Sequence, residues 1–211
     1  MQWKHDLIAR VDARIHAPPV ALPAADLLNA QQARDLEYLR VKVSGTYRPG
    51  ASVLVRAATE LGTGYWAMAP LVTDAGESLW INRGFIAAGS TRQTAETTLP
   101  KGKIEVIGLL RPTEASGSLL QSNRPADDRW YSRDVVAFSQ SRHIAGALGT
   151  VFIDAQTGTE AVIGTKAPVP GLTVVNFPDN HLGYALTWFA LALMSAAGTV
   201  IVWRRAGRKA A

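Results

Sequence analysis

His181 is the residue best placed to do chemistry. It opens the run HLGYALTW, and on a helical pitch His181, Tyr184, Ala185, Trp188, Ala192 and Ser195 share one face. An imidazole, two aromatic rings and three small residues then form a single stripe. A neutral imidazole can ligate haem iron, and aromatic rings pack against a flat macrocycle. The same stripe also reads as an interfacial histidine, hydrogen-bonded to lipid headgroups within an ordinary aromatic belt. On the residues alone, that second reading is preferred. Ala192, Ser195, Ala196 and Gly198 suit packing against another helix.

Arg83 is the second informative position. In LWINRGF, alternation places Leu79, Ile81, Arg83 and Phe85 on one strand face. A cation on an apolar face needs a carboxylate or carbonyl partner. A structural arginine so satisfied is favoured over a ligand-binding one. Gly84 beside it suits a bulge or a close backbone approach. Other candidates are weaker. Gly62-Thr63-Gly64 lacks the Lys-Ser/Thr ending of a phosphate loop and reads as a turn. No GxSxG elbow, HExxH or paired-histidine zinc spacing occurs. His143 and Asp134 could support acid–base work, but nothing in the sequence orients the pair. With no cysteine, thiolate metal sites, disulfides and thiol redox chemistry are excluded. No catalytic residue is assigned, and the chain reads as a non-enzyme.

The element that must carry His181 is a run of 22 uncharged residues, Leu182 to Trp203. That matches the roughly 20 apolar residues needed to cross a bilayer. Trp203 at one boundary, with Tyr184 and Trp188 near the other, suits the two interfaces. A transmembrane helix is therefore expected at 181–203. The formal charge of +5 points first to nucleic acid, but Arg204, Arg205, Arg208 and Lys209 supply four of those charges in the last eight residues. The body is nearly neutral and has no stripe to follow a phosphate backbone, so nucleic acid is not an expected partner. A basic tail at 204–211 holds the C-terminus in the cytoplasm and places the preceding domain outside. An exported domain needs a leader or anchor, and the first twenty residues hold no apolar run. The charge pattern therefore calls for a further transmembrane helix ahead of Met1.

Residues 1–20 contain an amphipathic helix, with Leu7, Ile8, Val11 and Ile15 on one face, ended by Pro18-Pro19. It could lie on the membrane or on the domain, the second being commoner. A second short helix begins near Leu22. Residues 21–178 read as a β-rich domain. Strands are expected on either side of Arg48-Pro49-Gly50, in a hairpin turning at Asp74-Ala75-Gly76, in KGKIEVIGLLRP, and in shorter form at RWYSRD and TVFIDA. DVVAFSQSRHIAGAL reads as a helix capped by Asp134. Strands at short spacing, without long helices between them, predict a mainly β fold. It would be an antiparallel barrel or sandwich with short flanking helices, plus the C-terminal transmembrane helix. Gly164 to Pro178 reads as the link into the membrane.

WKHDLIARVDARI, YLRVKVSGTY, VLVR, GYWAMAPL, LWINRGFI, IEVIGLLRP, SNRPADDRWYSRD and NHLGYALTWFALA follow one another over most of the chain. Together they resemble the Surfeit locus protein 1 family, with the NRGF and NHLGYALTWF segments the most specific. The resemblance implies two transmembrane helices flanking a domain that faces the periplasm or intermembrane space. It implies termini on the cytoplasmic or matrix side, and the Ala-rich composition leans towards a bacterial inner membrane with the C-terminus cytoplasmic. It also implies a cytochrome c oxidase assembly factor that binds haem A as transient cargo and assists its insertion into the large oxidase subunit. The haem A synthesis machinery is a further partner it admits. A scaffold that stabilises an oxidase intermediate without touching haem is the alternative. Under the resemblance His181 becomes the haem-iron ligand, reversing the preference drawn from the residues alone. Tyr184 and Trp188 become candidate haem contacts by helical geometry. Asn82, Arg83 and Gly84 match a domain motif to which no ligand is assigned.

Overall fold

The computed structural model describes residues 11, 13–115, 121–156, 166–172 and 181–209; within the last stretch, side chains are described at 183–184, 186–199 and 203. The chain divides into two compact units, residues 1–174 and 175–211.

In the first unit the strands are β1 (Val20–Ala21), β2 (Arg40–Tyr47), β3 (Val53–Thr59), β4 (Gly62–Thr73), β5 (Ser78–Ala87), β6 (Lys103–Pro112) and β7 (Ala147–Ala155). Short helices α1 (Ala30–Asp35), α2 (Arg92–Thr97) and α3 (Val135–Ser141) interrupt them. The pairing order is β1-β2-β6-β7-β5-β4-β3, and β2 also pairs with β4. That extra pairing closes β2, β6, β7, β5 and β4 into a five-stranded barrel. Its Greek-key order is that of an OB-type barrel. The expected barrel is therefore present, but it is not wholly antiparallel. β5 and β7 run parallel, because an odd number of strands cannot alternate all the way round a closed cylinder. β1 adds to β2 in parallel, and β3 extends β4 outside the barrel.

Alternation fills the interior. Val41, Val43 and Tyr47 of β2, Leu79 and Ile81 of β5, Val106 and Leu110 of β6, and Val151 and Ile153 of β7 form the inner core. The opposite face is also covered. Trp80, Phe152, Met68 and Val53 pack under Trp130 and α3. Phe138 of α3 meets Trp80 at 5.1 Å and Trp130 at 4.8 Å between centroids, both edge-on. β5 is thus buried on both faces.

The 74–76 hairpin turn is as expected, with Gly76 at positive φ and Thr73 N–H donating to Glu77 O at 2.8 Å. Asp134 caps α3, accepting from Ala137 N–H at 3.0 Å, but the helix stops at Ser141 and the chain turns at His143 with φ 52°. RWYSRD forms no strand. Asn123 Oδ1 takes the N–H groups of Tyr131 and Ser132, and Asp128 takes the Trp130 indole N–H. Side chains thus satisfy a backbone that a ladder would otherwise pair. α2 was not expected, since its threonine-rich sequence is a poor helix former. Tertiary contacts hold it: Glu96 accepts from Gly50 N–H and Ser52 N–H, each at 2.7 Å. At the N-terminus residues 13–16 are helical. Val11 is buried, and Arg14 donates to the carbonyls of Asp35 and Glu37, so this part lies on the domain. Leu7 and Ile8 fall outside the described residues.

The second unit contains α4 (His181–Lys209), 29 residues long. Counted over the described residues alone, no helix is long and apolar enough to cross a membrane. Val200, Ile201 and Val202 of the uncharged run lie outside the described side chains. The expected link at 164–178 is described only at 166–172.

Barrel closure depends on Gly45, which pairs with Ile104 of β6 on one side and Thr73 of β4 on the other. A β-carbon there would collide with the Val72 carbonyl, which is backbone and cannot be repacked. Gly45→Val is expected to cost roughly 1–3 kcal/mol and to expose the β2–β4 amides first. Chemical denaturation with amide exchange measures both.

Candidate functional site

Two places hold unusual chemistry, one in each unit. In the barrel, five charged side chains meet on the outer face of β6 and β7. Asp154 of β7, 2% exposed, stands at the centre. Its Oδ2 accepts from Arg111 Nη1 at 3.2 Å, and its Oδ1 from Arg133 Nη1 at 3.3 Å and Asn82 Nδ2 at 2.8 Å. Arg111 also donates to Glu37 Oε1 at 3.2 Å. Arg133 pairs with Glu114, whose other oxygen accepts the Arg133 backbone N–H at 3.0 Å. Each guanidinium also lies on an aromatic face, Arg111 on Tyr38 at 4.8 Å and Arg133 on Phe152 at 4.9 Å. The network joins the residues before β2, the strands β5, β6 and β7, and both ends of the connection from β6 to α3.

Burial alone would raise the Glu114 carboxyl. The hydrogen bonds and charge of Arg133, with Arg111 behind, outweigh burial and hold it below the usual carboxylate range. Burial would likewise lower the Arg133 guanidinium, but Asp154 and Glu114 keep it firmly protonated. Burial raises the Tyr38 phenol against the opposing pull of Arg111. Such a cluster orders three strands and a long connection, and every charged group in it has an opposite charge as partner. Sequence reasoning missed it. Alternation shows that Arg111 and Asp154 leave the barrel interior, but not that they meet.

Arg83 is the structural arginine the sequence favoured. It is 4% exposed and donates to Thr98 O at 2.6 Å and Ala95 O at 3.2 Å, with its guanidinium over the Tyr47 ring. Asp134 and His143 lie at opposite ends of α3 and form no catalytic pair. A surface hollow of about 500 Å³ beside β3 is lined by Arg56, Tyr65 and Tyr131, with Arg56 stacked on Tyr131 at 5.5 Å. Among the described residues, no group of three or more metal-ligating side chains gathers.

The second place is α4. His181 begins the helix, and its side chain lies outside the described residues. Tyr184 and Trp188 are 66% and 69% exposed. Leu186, Phe189, Leu193, Met194 and Trp203 are exposed too, so apolar side chains point outward on every side of the helix rather than along one stripe. Thr187 and Thr199 turn their hydroxyls back to the carbonyls of Gly183 and Ser195, at 2.8 and 2.9 Å. Both polar groups are thereby satisfied within the helix.

The sequence matches the SURF1 family over residues 1–193. It is 30% identical to human Surfeit locus protein 1 over 220 residues, which cover 96% of this chain and 68% of the human protein. The mouse protein of the same name is 30% identical over 219 residues, 96% of this chain and 67% of its own length. A SURF1-like protein of Monosiga brevicollis is 28% identical over 221 residues, covering 99% and 81%.

Removing Asp154 takes one of two carboxylate partners from each of Arg111 and Arg133 and the acceptor from Asn82 Nδ2, so Asp154→Ala is expected to lose about 1–3 kcal/mol in urea unfolding. Glu114 sets a pH dependence. Its folded pKa lies below the ordinary value, so its stabilisation is complete above about pH 5 and fades as pH falls through the carboxylate range. Glu114→Gln is expected to lower stability at pH 7 and to flatten the decline between about pH 5 and pH 3. Denaturation midpoints across that range measure the difference.

Proposed function

The chain belongs to the SURF1 family, known as cytochrome c oxidase assembly factors, and we propose that it is a membrane-anchored member that binds haem A and assists its insertion into the large oxidase subunit. The observation that carries this reading is α4. A 29-residue helix with large apolar side chains exposed all round is unfavourable in water and suited to lipid. The hydroxyls of Thr187 and Thr199 are satisfied within the helix, as a lipid setting demands. Four cations at its C-terminal end then lie on the cytoplasmic side, with the barrel in the periplasm.

On this reading His181 opens the helix at the outer membrane boundary and its imidazole ligates the iron of the cargo. Tyr184 and Trp188, one and two turns further on, offer ring faces to the macrocycle. One protein ligand at an accessible boundary suits a site that must release what it holds. The barrel's charged cluster is internally paired, which supports a structural role for it in ordering the domain.

The test is purification of the full-length protein from haem-A-producing membranes. A bound-haem spectrum is expected from the unaltered protein. His181→Ala should lose more than the roughly 10–100-fold in affinity that deletion of an outer-shell partner of a metal ligand costs. Unchanged haem binding in His181→Ala overturns the ligand assignment. Normal oxidase assembly by a protein that never carries haem supports the haem-independent scaffold instead.

A further inference from the structure

The arginines of the barrel unit are of two kinds. Arg83, Arg111, Arg133 and Arg142 are held by carboxylates or carbonyls. Arg56, Arg124 and Arg129 are exposed. Among the described residues, none of these three guanidinium groups makes a hydrogen bond or an ion pair.

Backbone pairing gathers the three on one face. Val55 of β3 pairs in parallel with Trp130, and Arg56 N–H donates to Trp130 O at 2.9 Å. Val55 and Trp130 both enter the outer core. Successive side chains alternate, so Arg56, Arg129 and Tyr131 take the opposite face. There Arg56 lies over the Tyr131 ring at 5.5 Å. Arg124 and Arg129 are directly opposed across a tight antiparallel turn. Arg124 N–H donates to Arg129 O at 2.8 Å, and Arg129 N–H to Arg124 O at 3.1 Å. On its other flank Arg56 is paired with Tyr65 of β4. Arg56, Thr63, Tyr65, Ala88 and Tyr131 line the hollow of about 500 Å³ that opens there.

Like charges directly opposite each other on neighbouring strands are destabilising. The nearby acids do not relieve them. Asp128 accepts from Arg142 and from the Trp130 indole instead. Asp127 and Glu60 are exposed and form no ion pair with the three. Three uncompensated cations beside two aromatic rings and a hollow make a surface complementary to anions. Its spacing points to the kind of anion. In the register set by Val55 and Trp130, Arg129 lies two residues from the Arg56–Tyr131 row, about 6.6 Å along the strand. Alternate side chains of an extended chain are the same distance apart. A guanidinium also holds a carboxylate by two parallel hydrogen bonds. Ala58, Thr63, Ala88 and the half-buried Leu54 are the neighbours on this face, and they offer little to insert into lipid.

We propose that this face docks an extended acidic segment of a partner protein, with carboxylates at alternate positions on Arg56 and on the Arg124–Arg129 pair. Tyr65 and Tyr131 flank the segment, and the hollow receives one of its side chains. The site goes beyond the haem reading and uses neither α4 nor its cargo.

The experiment uses the full chain in phosphatidylcholine nanodiscs. The probe is a labelled eight-residue peptide alternating Glu and Thr, followed by fluorescence anisotropy. Binding is expected at low salt and weakens as salt rises. Arg56→Gln and the double variant Arg124→Gln/Arg129→Gln each weaken it about tenfold, the worth of one charge-assisted hydrogen bond. Arg56→Lys restores only part, because an ammonium lacks the planar fork. Lys42→Gln, which removes an exposed cation of β2, leaves binding unchanged, and the C-terminal cations are common to every sample. The double variant keeps or raises its urea midpoint, since it removes two opposed charges, so its weaker binding is not a loss of fold. Equal affinity in the parent and the arginine variants overturns the proposal, as does an absence of peptide binding at low salt. Sedimentation of the nanodiscs with phosphatidylglycerol vesicles, lost in Arg56→Gln and unaccompanied by peptide binding, assigns the face to a lipid surface and overturns it too. None of these measurements depends on haem.

Discussion

Five strands cannot alternate in direction around a closed barrel, and the one parallel pair that parity forces, β5 with β7, organises much of this domain. A parallel pair cannot be joined by a tight turn. The chain between these strands therefore makes a long excursion through α2, β6 and α3. Its two ends are brought together at the pair itself: Asn82 of β5 meets Asp154 of β7, Arg111 and Arg133 gather on the same carboxylate, and Glu114 pairs with Arg133 behind it. The buried charge is tolerated because each member has a partner of opposite sign. In return it fixes the register of three strands and the position of the loop that brings Trp130 over the outer core. Where the parallel pairing ends, β5 bulges and accepts Val169.

The two units divide the work along chemical lines. In the barrel, buried arginines meet carboxylates or carbonyls, and the aromatic rings of the outer face are buried under α3. On OB-type barrels an open face of this kind can stack bases; here Trp80, Trp130 and Phe138 are spent on one another. α4 has the opposite character. Its large side chains face outward, its threonine hydroxyls fold back on its own carbonyls, and it begins with a histidine. Haem binding belongs to the helix and orientation to the barrel in the reading proposed here. That division accounts for a domain whose buried charged cluster is internally paired.

Legibility differed sharply between kinds of interaction. The 74–76 turn, the Asp134 cap and the alternation of β2, β5 and β6 depend on residues close in sequence and could be read directly. Arg83 was recognisable as a cation on an apolar face, though its partners, the carbonyls of α2, were not. α2 itself was invisible because Gly50, through Glu96, and Arg83 stabilise it from 46 and 12 residues away. RWYSRD looked like a strand because its aromatic content suits one. Asn123 and Asp128 won the competition for its donors.

The sequence by itself determined the uncharged run with its basic end, the mainly β character, the bulge-prone Arg83-Gly84 step and the resemblance that assigns the family. These are local or additive properties: charge, hydropathy and period sum along the chain without reference to its path. Tertiary structure alone decided that five strands close, that one pair must therefore be parallel, that Arg111, Arg133 and Asp154 share one site, and that Gly84 leaves room for Val169. Each of these depends on which distant segments become neighbours. Side-chain periodicity gives the face on which a residue lies, but only the closed path of the backbone determines what stands opposite it.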